Sequence, residues 1–248
     1  MKILTQNCNG FSRNGKKRFE IIAETIRTKN YDAVLLQEVF FCNHQKTFEN
    51  IPKSSFEDSP QFRSSYEKGF LFLKGGLVTL TKKEPTSLKF YKYDSQGNFF
   101  NLQNLFLGKG FLETIVEDLV ILNTHTLCTQ NYEEILYKPL REQIDQLLEH
   151  VRHRKNQGRT VLLGGDFNFS KNSGLYRWLK EELEDLTENI KDLKHVPYSQ
   201  GDFIFATTLV DTPSNHNSFY VTHGLRYPSD HLGICGQVDF SKGRLHKP

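Results

Sequence analysis

The sequence predicts a layered α/β domain in which helices cover stacked sheets. Three observations lead there. Apolar runs of strand length outnumber helical patterns, both types recur along the whole chain, and no stretch rich in Gly, Ser or Pro divides it. At 248 residues, one domain can bury most of its apolar surface without covalent staples, so a single domain over 1–248 is expected.

Residues 2–6 read as a short strand, and residues 17–29 carry Phe19, Ile22, Ala23 and Ile26 at the spacing of an amphipathic helix. Residues 33–37 follow as a buried strand. From about Phe70 to Phe111 strand formers are interleaved with turn signals, and Asp94-Ser95-Gln96-Gly97 marks a hairpin tip. Residues 119–122 form a further strand. Pro139 suits the first turn of a helix whose Leu140, Ile144, Leu147, Leu148 and Val151 share a face, and Gly158 stops it. A strand at 160–163 comes next, then a helix marked by Leu175, Trp178, Leu179, Leu183 and Leu186. Strands around 203–206, 218–222 and 234–240 close the chain.

Composition excludes more than it assigns. A net charge of +3 is too mild to imply nucleic acid or a membrane by itself. Cys8, Cys42, Cys128 and Cys235 form no C-x-x-C pair, so reduced thiols in a cytoplasmic protein are expected. No apolar run is long enough to span a membrane, and the apolar start turns polar at Thr5, so neither a transmembrane segment nor a secretory leader is expected. A monomer is the expected state.

The chemistry collects where strands end. The run Leu162-Leu163-Gly164-Gly165-Asp166-Phe167-Asn168 leaves an apolar strand and presents a carboxylate and a carboxamide two residues apart. The first strand ends at Asn7, the next at Glu38, another at Asn123-Thr124-His125, and Ser229-Asp230-His231 precedes the last. Alone, each is explained by a turn, a cap or a solvated side chain. Five strand ends of this kind in one chain point to a site, because a rigid sheet positions side chains at its ends. The chain has no H-E-x-x-H, cysteine pair, G-x-x-x-x-G-K-[ST] or G-x-G-x-x-G, so zinc and nucleotide cofactors lack support. Oxygen donors with few carboxylates suit Mg²⁺, and two histidines beside them suit hydrolysis.

The segments TQNCNG, LLQE, GGLVTL, KG, ILNTHT, GGDFN, GDFIF and PSDH run in this order through essentially the whole chain. Together they resemble the endonuclease/exonuclease/phosphatase superfamily, the deoxyribonuclease I-like metal phosphoesterases. The resemblance implies a four-layer sandwich: two stacked, mixed but mostly antiparallel sheets flanked by helices, with the site at one end. It implies Mg²⁺, replaceable by Mn²⁺, with Glu38 as principal ligand and Asn7 beside it. His231 would be the general base, with Asp202 hydrogen-bonded to it. Asp166 and Asn168 would orient water and phosphate, the two glycines letting the backbone turn tightly before them. Asp230 would aid metal or water positioning, and His125 would donate to a phosphate oxygen. Two departures stand out: Gln200-Gly201 replaces a position where the family often has Arg, and the span between Glu38 and Gly75 has no clear match.

Lys109-Gly110 and the stretch Gln130-Asn131-Tyr132 leading to Arg141 and Gln143 lean towards the neutral sphingomyelinase-like branch. Lys109 is expected to contact substrate phosphate, although a solvated strand-edge lysine reads equally well. The aromatic and basic stretch 90–110 fits a lipid headgroup layer by peripheral contact, stacked bases, or simply one buried hairpin face. Arg13 to Arg18 reads as a solvated helix start or as a phosphate contact. The expected function is therefore a Mg²⁺-dependent phosphodiesterase of the sphingomyelinase-like type. A nuclease on DNA or RNA, or a soluble phosphate-ester phosphatase, is the alternative on the same site; a non-catalytic binding module is the alternative of another class.

Overall fold

The computed structural model describes residues 1–10, 15–49, 62–68, 73–97, 108–128, 133–188, 201–207, 218–219, 231 and 233–237. Two six-stranded sheets pack face to face. The first contains β1 (Lys2–Asn7), β2 (Ala33–Gln37), β3 (Arg63–Ser65), β4 (Val78–Thr81), β11 (Ser218–Phe219) and β12 (Gly233–Gln237), in the order β11-β12-β1-β2-β4-β3. The second contains β5 (Ser87–Lys92), β6 (Gly110–Val116), β7 (Leu119–His125), β8 (Thr160–Asp166), β9 (Glu184–Asp185) and β10 (Asp202–Ala206), in the order β5-β6-β7-β8-β10-β9. Helices α1 (Gly15–Lys29) and α2 (Cys42–Glu49) belong to the first sheet's half of the chain, and α3 (Glu133–Asn156) and α4 (Gly174–Glu182) to the second's.

Three apolar clusters make the layers. Phe19, Ile22 and Ile26 of α1 pack with Val34 and Leu36, the outward side chains of β2. Leu140, Ile144 and Leu147 of α3 pack with Val161 and Leu163 of β8. Between the sheets lie Ile3, Leu35, Ile121, Leu162 and Ile204, the alternate residues of the same strands. Strand residues therefore face a helix and the other sheet in turn, and both faces are buried. That is why these strands are continuously apolar rather than alternating with polar residues.

Within each sheet one central pair is parallel, β1 with β2 and β7 with β8, and the remaining pairings are antiparallel. A buried amide pair spans the two sheets. Asn123 of β7 donates to the carbonyls of Leu36 (3.1 Å) and Val78 (3.0 Å), and its oxygen accepts from Gln37 Nε2 at 2.8 Å. Because Asn123, Leu36 and Gln37 are each within two residues of a strand's end, this bridge sets one strand end beside the other.

Several expectations change. Strands β7 and β8 continue through His125 and Asp166, so Gly164 and Gly165 lie inside β8 rather than in a turn. Gly165 has φ 149°, and a Cβ there would meet the Thr124 carbonyl oxygen at 2.0 Å. A Cβ on Gly164 would meet Leu35 of the opposite sheet at 2.6 Å. The glycines thus permit close approach within and between sheets. Helix α3 begins at Glu133, with Pro139 inside it rather than in its first turn. Helix α4 ends at Glu182, since Glu184 and Asp185 pair with β10; Leu186, which continues the helical spacing, instead packs between the sheets. Helix α2 and strand β3 fill the span that carried no clear pattern. Residues 98–107, 208–217, 220–222 and 238–240, on which parts of the predicted hairpin and closing strands fall, lie outside the described residues.

One buried charge is held by the second sheet. Glu113 of β6, 1% exposed, accepts two bonds from Arg154 at 2.7 Å and pairs with His150 Nε2 at 2.7 Å. Burial alone would raise its carboxyl, but these hydrogen bonds and charges outweigh it and hold it below the usual range. Such a depressed carboxyl stabilises the fold above its unfolded pKa and loses that contribution as pH falls through the folded one. Arg154→Met, which leaves the charge without its main partner, is expected to cost about 3–5 kcal/mol near neutral pH. Urea unfolding at roughly pH 7 and pH 3 should show the gap between wild type and variant narrowing in acid, as Glu113 protonates.

Candidate active site

The parallel pairing of β1 with β2 and of β7 with β8 brings four C-terminal strand ends to one edge of the sandwich. β10, antiparallel to β8, begins there, and so does β12, antiparallel to β1. In register, His125, Asp166 and Asp202 lie across three neighbouring strands: His125 opposite Asp166, and Asp166 opposite Asp202. Asn7 ends β1, Glu38 follows β2, and His231 precedes β12.

Asn7 joins the sheets at this edge. Its Nδ2 donates to Glu38 Oε1 at 3.1 Å and to Asp166 Oδ2 at 2.9 Å, while its Oδ1 accepts from the Asn9 backbone N–H at 2.9 Å. Gly10 N–H donates to Glu38 Oε2 at 3.2 Å. Glu38 has φ 59°, a left-handed conformation unfavourable for a side chain of this size, and the next residue is tied by Val39 N–H to the Gly76 carbonyl at 2.9 Å. Strain in that position is tolerated because it turns the carboxylate out of the strand line towards Asn7.

Asp166 is almost fully buried and lies among both imidazoles. Its Oδ2 is 3.7 Å from His125 Nε2 and 3.8 Å from His231 Nε2, and its Oδ1 accepts from Asn168 N–H at 2.9 Å. Asn168, at φ 54°, donates from Nδ2 to the Thr126 carbonyl at 3.1 Å. His231 Nδ1 is bonded to Asp202 Oδ2 at 2.8 Å, which leaves Nε2 facing Asp166. Asp166, Asp202 and His231 each present a ligand atom within 4.8 Å of the others, a group able to hold a cation.

The electrostatics follow from burial. Glu38 is pushed up, first by desolvation and also by the Asp166 charge, against the opposing pull of Lys109, Asn7 and His231. Asp166 would rise on burial too, but His231, His125, the Asn7 bond and Lys109 together bring it down. Lys109 is lowered by burial, opposed by the charges of Glu38, Asp166 and Cys128. Lys109 is half-buried, and its charge is coupled to both carboxylates of this edge. His125 is pushed down to about 3 by burial and then by the Lys109 charge, so near pH 7 it is a neutral imidazole. Its Nδ1 has no partner among the described residues.

Asn7, Glu38, His125, Asp166, Asn168, Asp202 and His231 are therefore brought together, with Lys109 beside them. Asp230 and the segment 129–132 lie outside the described residues, as do His216 and His223. Sequence reasoning gave no role to Thr126, whose carbonyl holds Asn168 and whose Oγ1 donates to the Phe167 carbonyl at 2.5 Å, or to the buried Gln6 and Gln37. The only available signal was polar residues inside otherwise apolar strands.

A hydrogen-bonded His–Asp pair facing the buried Asp166 carboxylate can take a proton from water beside a cation-stabilised anion. Comparison with known proteins agrees with that chemistry. The family model described as "Endonuclease/Exonuclease/phosphatase family" matches residues 4–231. A comparison with curated protein sequences found no match. Among solved structures, an endonuclease/exonuclease/phosphatase family protein from Leptotrichia buccalis C-1013-b is similar at TM-score 0.69 and 17% identity, covering 97% of this chain and 100% of that one. Truncated Caenorhabditis elegans TDP2 is similar at TM-score 0.67 and 17% identity, covering 94% and 95%. Sphingomyelinase C from Streptomyces griseocarneus is similar at TM-score 0.67 and 14% identity, covering 96% and 99%. With its four-layer fold and a family match over most of its length, the chain belongs to the endonuclease/exonuclease/phosphatase family of phosphoester hydrolases.

Proposed function

We propose that this protein is a Mg²⁺-dependent phosphodiesterase in which His231 takes the proton of the attacking water. The observation that carries the reading is the 2.8 Å bond from His231 Nδ1 to Asp202, with Nε2 left towards Asp166. With Nδ1 engaged by Asp202, Nε2 is the nitrogen on which a proton from water would be taken.

The donor set fits a hard cation. Glu38 carries two oxygens, each with a single N–H partner, in a place where burial and Asp166 make its charge costly without a positive neighbour. Glu38 would hold Mg²⁺, or Mn²⁺ in its place. Asn7, with its own oxygen engaged by Asn9, would orient the carboxylate. Bound there, the ion would polarise a phosphoryl oxygen and neutralise charge in the transition state. The side chains supply the rest. Asp166 and Asn168 orient water and phosphate, and Lys109 and neutral His125 donate to phosphoryl oxygens as negative charge develops. Water adds to phosphorus, His231 Nε2 takes its proton, and the ester P–O bond breaks. The departing oxygen is protonated from solvent, to which His231 returns its proton.

Among substrates, a choline-type sphingolipid is the first choice. Lys109 beside the two carboxylates and the fold shared with a sphingomyelinase C support it, and a net charge of +3 gives little general attraction to DNA. Membrane contact would then be peripheral; among the described residues no helix is long and apolar enough to cross a bilayer.

Three outcomes test these statements. Glu38→Gln should fold normally yet lose most metal-dependent turnover; an unchanged Mg²⁺ titration of activity would remove Glu38 from the metal site. His231→Ala should lose roughly 10²–10⁴-fold in rate, with Asp202→Asn losing less and the pair non-additive in pH-resolved kinetics. In a panel of sphingomyelin, lysophospholipid, plasmid DNA, abasic DNA and inositol phosphates with Mg²⁺, sphingomyelin should turn over fastest. Efficient DNA cleavage without lipid turnover would favour a nuclease instead.

A further inference from the structure

We infer that Gln6 is a positioning residue for His231, its buried side-chain amide fixing the backbone of the proposed base to the strand that carries Asn7. This rests on His231 being the proton acceptor, and adds a residue that the strand-end motifs do not single out.

The antiparallel register of β1 with β12 runs Lys2 to Gln237 through Thr5 to Ile234, and β12 begins at Gly233. His231 lies beyond the last register pair of that ladder, Thr5 with Ile234. Gln6, 1% exposed, reaches it: its Nε2 donates to the His231 carbonyl at 3.1 Å and to the Asn7 carbonyl at 2.7 Å. One amide group thus binds the main chain of its own neighbour Asn7 and of His231, 225 positions away. Asn7 holds both carboxylates with its side chain, so Gln6 ties the backbone of the base to the residue that carries them. Asp202 fixes the ring of His231 and Gln6 fixes its backbone; neither alone determines where Nε2 points.

Room for the amide comes from Gly233. A Cβ there would lie 2.7 Å from Gln6 Oε1 and 3.1 Å from Leu4 Cδ1. Oε1 is buried and has no partner among the described residues, so the two donor contacts set the amide's orientation. The neighbours of Gln6, Thr5 and Asn7, are buried polar residues that are themselves hydrogen-bonded, so β1 is polar and partnered from Thr5 to its end. The polar group is explained by what it holds.

The test uses the full chain, Mg²⁺ and bis(4-nitrophenyl) phosphate as probe. Gln6→Met keeps the volume and removes both donors. Displacement of a reacting group by about 1 Å can cost on the order of 10²-fold, so kcat should fall roughly 10–100-fold. KM should stay within about twofold and the melting temperature within a few degrees, since only the placement of one loop changes. In the His231→Ala background Gln6→Met should add almost nothing, because no base is left to position. If Gln6→Met folds poorly, Gly233→Ala gives an independent route: it keeps the donors, crowds Oε1, and should lower kcat with KM unchanged. Wild-type kcat in Gln6→Met, or a loss that multiplies with that of His231→Ala, would assign Gln6 a purely structural role. That result beside an inactive His231→Ala overturns this inference and leaves the base in place. Near-normal turnover in His231→Ala overturns both.

Discussion

The rest of the site depends on a buried amide pair between the sheets. Asn123 of the second sheet bonds to Gln37 of the first and to the first sheet's Leu36 and Val78 carbonyls, and Gln37 also donates to the Leu35 carbonyl. Apolar packing between sheets is non-directional and would tolerate a slip of one strand along another. Buried amides do not tolerate it, because an unpaired donor in this apolar layer costs about 1–3 kcal/mol. The sheets are therefore locked in a register that leaves Glu38 and His125 at the same edge. The lock lies directly beneath the chemistry, one residue before Glu38 and two before His125.

Above that lock the site is an arrangement of charge that the protein only partly balances. Glu38 and Asp166 come from different sheets and are bridged by one carboxamide. Their environment moves them in opposite directions: Glu38 up, where burial dominates, and Asp166 down, where the imidazoles and Lys109 outweigh burial. A pair of carboxylates separated in this way suits two tasks, one attracting a cation and one remaining ionised to orient neutral groups. The neutral state of His125 near pH 7 has the same origin, since a positive imidazole beside Lys109 is penalised by both burial and repulsion.

Much of this was legible before any coordinates. The 3.6-residue spacing of Phe19, Ile22 and Ile26 and of Leu140, Ile144 and Leu147 marked α1 and α3, and the apolar runs marked β1, β2, β7 and β8. The polar residues ending those runs marked the site. Boundaries were less legible where two rules compete. Gly164-Gly165 reads as a turn by backbone preference, yet the packing of Leu35 and Thr124 requires glycine inside a strand. Leu183 and Leu186 read as helix by spacing, yet the edge of β10 needed a partner. Helix α2 was missed because a short helix with few apolar residues offers little periodic signal.

The sequence by itself determined which residues are apolar and at what period, and hence the elements, the layered class and the identity of the polar groups at strand ends. Those properties are local: they depend on side-chain type and on geometry within a few residues. Only the tertiary structure decided that Asn7 touches both Glu38 and Asp166, that the charge of Lys109 is coupled to them, and that Asp202 holds His231. Those contacts join residues 29 to 159 positions apart. They exist because parallel pairs in two sheets end at one edge, a consequence of topology that no window of sequence contains.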